Sequence, residues 1–365
     1  MSPPVELASQ PRASVQALAK VLLHDHLDGS LRPGTLLDLC RQKGLSVPAD
    51  HEPALQAWFR ANAMAGSLER YLQGFALTVA AMASLPALQR VAREAAEDAA
   101  AEGCVLAEFR IAPLLFEPHG LQPQACVEAL LQGLSEGPIP CGLIICGMRQ
   151  HSPEDVMRSA ELALRYRFNA IGANGHTTGQ TTGVVGFDLA GPELGYPATL
   201  HAKALHRVRE GGLPLTLHAG EADGAERVLE AVRLGARRIG HGVRIADWLN
   251  EPRAIEDIQA LKQADIHFEV CPTSNVHTGA APDIAHHPIR AMWDAGLSLS
   301  YQTDNHLISC IDMNAEGLHL IEQAHFTVSD LQRMQTLALQ ASFMPQALKT
   351  QAKKLLADPP APLGN

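Results

Sequence analysis

Eight short runs of apolar, β-rich residues recur along the chain, each followed by a segment with helical periodicity. Apolar runs that alternate with amphipathic helices indicate parallel βα units, because a parallel strand needs a helical crossover to reach its neighbour. Eight such units predict an α/β fold, a (β/α)₈ TIM barrel. The runs are residues 21–29, 104–113, 142–148, 184–191, 213–221, 238–243, 266–275 and 297–305.

One barrel can account for the whole chain. Its 365 residues lie within the range of a large barrel with insertions. We therefore predict a single domain over residues 1–365, ordered from about residue 15 to 357. Extra helices are predicted over residues 312–357, and the proline-rich tail after them is predicted to be disordered.

Two connections between the predicted strands are unusually long. Residues 33–102 separate the first two strands and contain several helical segments. Because βα connections emerge at the catalytic face of a barrel, this helical insertion is predicted to form a lid. The Gly- and Thr-rich residues 172–183 precede the fourth strand, so we expect a flexible insertion on the opposite face, with His176 at the surface.

Composition restricts the class of partner. The chain is 46% hydrophobic and 19% charged, with a formal net charge of −10 and no run of Lys or Arg. These values are typical of a globular protein with a sizeable core, and they argue against a nucleic-acid polymer as substrate, since phosphate contacts dominate such binding. A small neutral substrate fits better.

The termini and cysteines indicate a cytoplasmic protein. The first residues do not form a signal peptide, and no apolar run approaches the roughly 18 residues needed to span a membrane. The seven cysteines are scattered, several within apolar runs, and no CxxC pair occurs. They are therefore predicted to be buried, reduced thiols rather than disulfides or zinc ligands.

The first predicted strand carries polar side chains at alternate positions. His24, His26 and Asp28 are spaced by two, so they point to the same side of an extended strand. Two imidazoles on the inner side of an apolar strand are costly to bury without a partner, and a metal ion would supply one. The spacing alone leaves hydrogen-bonded core histidines as an alternative.

Three further polar residues end other predicted strands: His218, His241 and Asp304. Catalytic groups of (β/α)₈ barrels lie at the carboxyl ends of several strands, so these residues are predicted to meet at one site. We predict that His24, His26, His218 and Asp304 bind one divalent ion, a ligand set that suits zinc or another first-row metal. Such an ion activates water near neutral pH, which predicts a hydrolase.

Two more residues belong to the predicted active site. Glu221 follows His218 across the Gly220 bend and is placed to donate and accept protons, although it is also the first acidic residue of a helix N-terminus. His241 is either a further ligand or an outer group that orients the attacking water. The fourth predicted strand has no lysine that could be carbamylated to bridge two metals, which favours a mononuclear site.

The motifs together resemble those of the adenosine deaminase family of metal-dependent amidohydrolases. The resemblance runs from about residue 20 to 345, and the order and spacing of its motifs are specific. The sequence around the CPTSN and TDN motifs is most similar to the form found in family members from high-GC bacteria. The matching motifs are HDHLDGSLRP, SLERYL, GFDLAG, LTLHAGEA, RIGHGVR, CPTSNVHTGA, AHHPI and TDN.

The resemblance implies zinc-dependent, hydrolytic deamination of adenosine and 2′-deoxyadenosine, with the four ligands named above. It implies that Glu221 protonates the purine N1 and that His241 orients the attacking water toward C6. It further implies that Asp28 binds the ribose and that the backbone N–H of Gly191 approaches N3. A glycine suits that place, because a side chain would obstruct a close backbone approach.

The sequence departs from the family pattern at two positions. Asn305 stands where many members have a second Asp that faces N7; an amide can donate to that acceptor directly, but the substrate preference is then open. Pro192 stands where the familiar motif has Asp, which either alters the substrate wall or is a harmless turn variant. On the second strand, Glu108 and Arg110 are expected to form a buried structural pair.

Other activities remain as alternatives. Free adenine, N6-methyl-AMP and aminofutalosine are rival 6-aminopurine substrates; Asp28 favours a nucleoside over the base and would repel a 5′-phosphate. A binding protein that has lost catalysis would lack a metal ligand or Glu221, and none is missing. The H-x-E and P-C-x-x-C signature of nucleic-acid deaminases is absent.

Overall fold

The computed structural model describes residues 5–64, 68–168 and 181–357. Eight parallel strands form one sheet in sequential order, which confirms the predicted (β/α)₈ barrel. Most of their residues are buried, because one face lines the barrel interior and the other packs against helices. The strands are β1 Lys20–His26, β2 Cys104–Ile111, β3 Cys141–Met148, β4 Thr182–Ala190, β5 Leu215–Ala219, β6 Ala236–His241, β7 His267–Val270 and β8 Ser298–Tyr301.

The α-helices fill the connections between strands and cover the sheet. Several begin at recognisable caps: the hydroxyl of Ser152, for example, accepts the backbone N–H of Asp155 at 3.1 Å. The helices are α1 Val5–Ala17, α2 Pro33–Lys43, α3 Glu52–Ala63, α4 Leu68–Met82, α5 Leu85–Ala101, α6 Pro123–Ser135, α7 Pro153–Arg165, α8 Ala202–Glu210, α9 Glu226–Arg233, α10 Ile255–Gln263, α11 Pro272–His277, α12 Ile289–Asp294, α13 Met313–Glu322, α14 Val328–Ala341 and α15 Gln346–Ala357.

Side-chain amides assist the closure of the barrel between β1 and β8. The backbone N–H of Val21 donates to Gln335 Oε1 and that of Leu23 donates to Gln302 Oε1, both at 2.8 Å. Backbone pairing takes over at the carboxyl end, where Asp304 forms a parallel bridge with Asp25. The two strands therefore meet most closely where the predicted metal ligands lie.

The predicted extensions of the barrel consist of helices. The insertion after β1 contains α2, α3, α4 and α5, and α13, α14 and α15 follow β8. Helix α14 packs against both β1 and β8, so it covers the closing seam. Helix α1 begins before the range in which the sequence predicts order, and it packs against α13 and α14.

Several smaller predictions can be compared with the structure. All seven cysteines are free thiols; Cys310 is partly exposed and the others are buried. Among the described residues, no single helix is long and apolar enough to cross a membrane; one pair of helices passes that test together but is bent by 115°. His176 and the proline-rich tail lie outside the described residues.

Candidate active site

The predicted metal ligands come together at the carboxyl ends of three barrel strands, β1, β5 and β8. His24 and His26 lie on β1, His218 lies on β5, and Asp304 follows β8. One ligand atom from each lies within 4.8 Å of the others. The Nε2 atoms of His26 and His218 are 3.3 Å apart, and Asp304 Oδ1 lies 3.4 Å from His24 Nε2. This quartet can surround a single ion.

Buried carboxylates fix the tautomers of two of the imidazoles. His24 Nδ1 lies 2.9 Å from Glu269 Oε2, and His218 Nδ1 lies 2.9 Å from Asp188 Oδ2. Each Nδ1–H donates to its carboxylate, which leaves the Nε2 lone pair facing the centre of the quartet. His24 Nε2 is buried with no hydrogen-bond partner among the described residues. The donor set therefore fits a divalent metal ion.

Burial favours the neutral form of two of the imidazoles, His26 and His218, as metal binding requires. It lowers the pKa of His26 well below the ordinary value and also lowers the pKa of His218. Burial opposes the charge of the nearby Asp304 carboxylate, but its close approach to His24 and to the other imidazoles outweighs that effect and lowers its pKa well below the ordinary value.

Arg110 joins the two supporting carboxylates beneath the quartet. Its guanidinium donates to Asp188 Oδ2 at 2.7 Å and to Glu269 Oε2 at 2.6 Å, and all three side chains are inaccessible to solvent. The predicted pair of Arg110 with Glu108 is wrong: Glu108 binds Arg238 at 2.7 Å instead. Strands elsewhere around the barrel, β4, β6 and β7, offer closer partners to the inward side chains of β2 than the residue two positions along the same strand.

Two active-site residues have strained backbones. Asp304 has a φ of +64° and His241 a φ of +60°, a region that side-chain-bearing residues rarely adopt. Such strain persists only when surrounding contacts hold it. For Asp304 these include the Oγ of Ser274, which donates to Oδ2 at 2.5 Å, and the backbone bonds to β1.

Glu221 lies beside His241 at the mouth of the barrel. Its Oε2 is 3.6 Å from His241 Nε2, and its Oε1 accepts the Thr278 hydroxyl at 2.9 Å. Burial, together with the negative charge of Asp304, raises the pKa of Glu221 to about 7. A carboxyl group with that pKa can exchange protons near neutral pH.

His241 is not part of the group of four ligand atoms that could hold one ion. Its ligand atom clusters with those of His24 and Cys271, while the quartet forms without it. Burial raises the pKa of the Cys271 thiol well above its ordinary value, which opposes formation of the thiolate that binds metals. Of the two roles left open by the sequence, the geometry therefore favours an outer group for His241.

A cavity of about 520 Å³ opens beside the quartet. Most of its wall is apolar, and helix α4 of the insertion supplies Phe75, Ala76 and Val79. Asp28 lines the cavity and is 6% exposed, and its Oδ1 has no hydrogen-bond partner among the described residues. A buried carboxylate oxygen of this kind awaits a donor from a ligand.

The other predicted substrate contacts differ in their placement. Gly191 lines the cavity with a φ of +96°, a backbone conformation that favours glycine because side-chain-bearing residues rarely adopt it. Asn305 is 2% exposed and packs on Gly29, outside the set of described residues that line the cavity. Pro192 is exposed and does not line it either, which agrees with a turn variant.

Sequence reasoning overlooked the residues that support the site. Asp188 and Glu269 are charged residues inside buried strands, a pattern that by itself indicates a specific partner. Glu193, Asn275 and His287 also contact the site or its supports. Asn275 and His287 lie within the CPTSNVHTGA and AHHPI motifs, but the motifs by themselves give no contact to either residue.

Comparison with known proteins identifies the family to which the chain belongs. Residues 19–358 match the family described as Adenosine deaminase. The adenosine deaminase of Mycobacteroides abscessus is 39% identical, covering 91% of this chain and 92% of that protein. The chain belongs to the adenosine deaminase family. It is accordingly a hydrolytic aminopurine deaminase, as the sequence predicts.

Solved structures from related enzymes superpose over nearly the whole chain. The Arabidopsis N6-mAMP deaminase has a TM-score of 0.78 and 26% identity, covering 94% of this chain and 98% of its own. An amidohydrolase from Burkholderia ambifaria with bound Zn has a TM-score of 0.81 at 23% identity, covering 98% of this chain and 93% of its own. Members of this family are metal-dependent, and the quartet is a candidate site for the ion.

Proposed function

We propose that this family member deaminates adenosine and 2′-deoxyadenosine to inosine and 2′-deoxyinosine, releasing ammonia. The observation that carries the choice of substrate is the position of Asp28. Its buried Oδ1 has no hydrogen-bond partner in the part of the chain that the structure describes, and Asp28 lines the cavity together with His26, where a nucleoside would present a sugar hydroxyl. Free adenine has no such donor. Relatives at 39% identity carry the name adenosine deaminase, which supports the same substrate.

We assign one zinc ion per chain to His24, His26, His218 and Asp304. Three imidazoles and one carboxylate suit zinc, and a solved structure similar to this chain holds that metal. When bound, zinc lowers the pKa of a water ligand to about 7 and so supplies hydroxide at neutral pH.

The surrounding residues divide the remaining chemistry. Glu221 in its protonated form donates to the purine N1, which makes C6 electron-poor. His241 lies beside the quartet and orients the water that attacks C6. Asp28 accepts a sugar hydroxyl, and the backbone N–H of Gly191 faces N3. Helix α4 closes over the apolar wall as a lid and excludes bulk water.

The main rival is another 6-aminopurine, and N6-methyl-AMP is the strongest because a relative in the solved structures is named for it. A nucleotide needs a cation for its phosphate. No Lys or Arg is present among the described residues that line the cavity, whereas Asp28 brings a carboxyl group there. The geometry therefore favours the uncharged nucleoside.

A substrate panel tests this proposal. Purified enzyme would be offered adenosine, 2′-deoxyadenosine, adenine, N6-methyl-AMP and aminofutalosine, and ammonia release would be followed. We expect the highest kcat/KM with the two nucleosides. A clear preference for adenine, N6-methyl-AMP or aminofutalosine would overturn the substrate assignment.

The variant Asp28→Asn tests the residue that carries the argument. It is expected to raise KM for adenosine about tenfold or more, since a charge-assisted hydrogen bond is lost. The same substitution should change kcat/KM for free adenine only slightly, because adenine has no sugar hydroxyl. Asp50→Asn is the matched control, because the Asp50 side chain is 95% exposed. Equal losses with adenosine and adenine would contradict the role of Asp28.

A further inference from the structure

A chain of hydrogen bonds leads from the backbone of helix α12 to the active site. The N–H of Ile289 donates to His287 Nδ1 at 3.0 Å, and His287 Nε2 lies 3.3 Å from Asn275 Oδ1. Asn275 Nδ2 in turn lies 3.0 Å from His241 Nδ1. His287, Asn275 and His241 are 3%, 0% and 1% exposed, so these groups depend on one another for hydrogen bonds.

The direction of every bond in this chain follows from its first member. A backbone N–H can only donate, so His287 Nδ1 must be the acceptor and carries no proton. A neutral His287 then has its proton on Nε2 and donates it, which requires the oxygen of Asn275 at that contact. The amide NH₂ must therefore face His241, so that His241 Nδ1 accepts and its proton lies on Nε2.

We propose that His287 is a positioning residue which, through Asn275, holds His241 in the Nε2–H tautomer, so that His241 faces the reaction centre as a hydrogen-bond donor. This inference rests on the proposed function and extends it. It assigns His241 the role of orienting the attacking oxygen by donation, and it leaves the exchange of protons with the substrate to Glu221.

Burial supports the neutral state of His287. It lowers the pKa of His287 to about 3, so this imidazole carries only one proton at neutral pH. Asn275 also reaches toward Glu221, since Nδ2 lies 3.4 Å from Oε1. The same amide thus faces both groups that flank the reacting carbon, and its reversal would put an acceptor against each of them.

Nitrogen NMR of the imidazoles tests the tautomer without any turnover. The zinc-loaded enzyme would be labelled at histidine, and the His241 signals would be identified by their loss in His241→Asn. We expect a protonated Nε2 and an unprotonated Nδ1 in the wild-type enzyme. A proton on Nδ1, or on both nitrogens at neutral pH, would overturn the proposal. Because no substrate is present, this result is independent of the proposed activity.

Two substitutions of His287 separate positioning from packing. In His287→Asn the side-chain oxygen can still accept the N–H of Ile289, but no atom reaches Asn275. In His287→Gln the amide nitrogen lies at the same distance along the side chain as Nε2 and can still donate to Asn275. We expect His287→Asn to lower kcat for adenosine about 10- to 100-fold with KM within about twofold. His287→Gln should restore most of kcat.

A substitution of the neighbouring residue serves as the control for the His287 variants. His286→Asn changes the exposed neighbour, 75% exposed, and should leave kcat unchanged. A wild-type kcat in His287→Asn, or an equal loss of kcat in both His287 variants, would contradict the proposal. Asn275→Asp places a carboxylate against His241 Nδ1 and should move the proton to that atom in the NMR spectrum; an unmoved proton would also contradict it.

Discussion

The carboxylate of Glu193 accepts the backbone N–H of Glu221 at 3.0 Å, and it accepts three neighbouring N–H groups as well. Gly220 donates at 2.6 Å, and Ala222 and Asp223 each donate at 2.9 Å. One buried side chain, 5% exposed, thus holds the whole turn that carries the proposed proton donor. The position of a glutamate carboxyl depends on the position of its backbone. Because Glu193 holds the backbone of this turn, it determines where the Glu221 carboxyl can lie.

Replacing Glu193 by Gln is expected to lower kcat for adenosine about 10- to 100-fold, because the amide NH₂ would face backbone donors and displace the turn. The zinc content, measured by mass spectrometry, should stay at the wild-type value. Glu226→Gln at the exposed start of α9 is the control and should be active. An unchanged kcat in Glu193→Gln would show that the turn holds its shape without the carboxylate.

The raised pKa of Glu221 predicts a pH dependence. The active form carries the proton, which is present below the pKa of about 7 and is lost as the pH rises through it. We therefore expect kcat/KM for adenosine to fall toward tenfold per pH unit on the alkaline side. Glu221→Gln should retain zinc and lose about 100-fold or more in kcat. A fully active Gln variant would exclude proton donation by Glu221.

Arg110 neutralises two buried carboxylates that orient His24 and His218, two of the proposed metal ligands. Arg110→Met leaves Asp188 and Glu269 without this cation, and we expect a loss of about 3–5 kcal/mol in the free energy of unfolding. Zinc affinity should fall about 10- to 100-fold, since outer partners orient the imidazoles. Denaturant unfolding and competition with a chelator measure the two effects. Arg253→Met, at an 81% exposed side chain, should change neither.

Metal removal tests the proposed quartet directly. Elemental analysis should find one zinc ion per chain, and prolonged chelation should abolish deamination until zinc is added back. Asp304→Ala and His218→Ala should each lower the zinc content strongly. His241→Asn should retain the ion, because the quartet forms without that residue. Full activity after complete metal removal would overturn the zinc proposal.

The barrel and the quartet were predictable because both follow from local patterns. Alternating apolar runs identify parallel strands, and a spacing of two places His24 and His26 on one side of β1. The general rule that catalytic groups lie at the carboxyl ends of barrel strands then brings in His218 and Asp304. Each step depends only on neighbouring residues and on a fold whose strand order is simple.

The supporting contacts could not be predicted in this way, because they join residues far apart in the chain. Arg110 and Glu269 are separated by 159 positions, and Glu193 and Glu221 by 28. Whether two inward side chains meet depends on the register and tilt of all eight strands, which no local segment encodes. This is why Glu108 binds Arg238 across the barrel rather than Arg110 beside it.

The metal quartet illustrates the division. Its residue types and their spacing were sufficient to predict four ligands at one mouth of the barrel. The direction of the imidazole lone pairs depends on the closed barrel, because carboxylates on other strands set the tautomers. Glu269 sets the tautomer of His24, and Asp188 sets that of His218. A proton has two possible positions on a neutral imidazole, and the choice belongs to whichever partner the tertiary structure places against the ring.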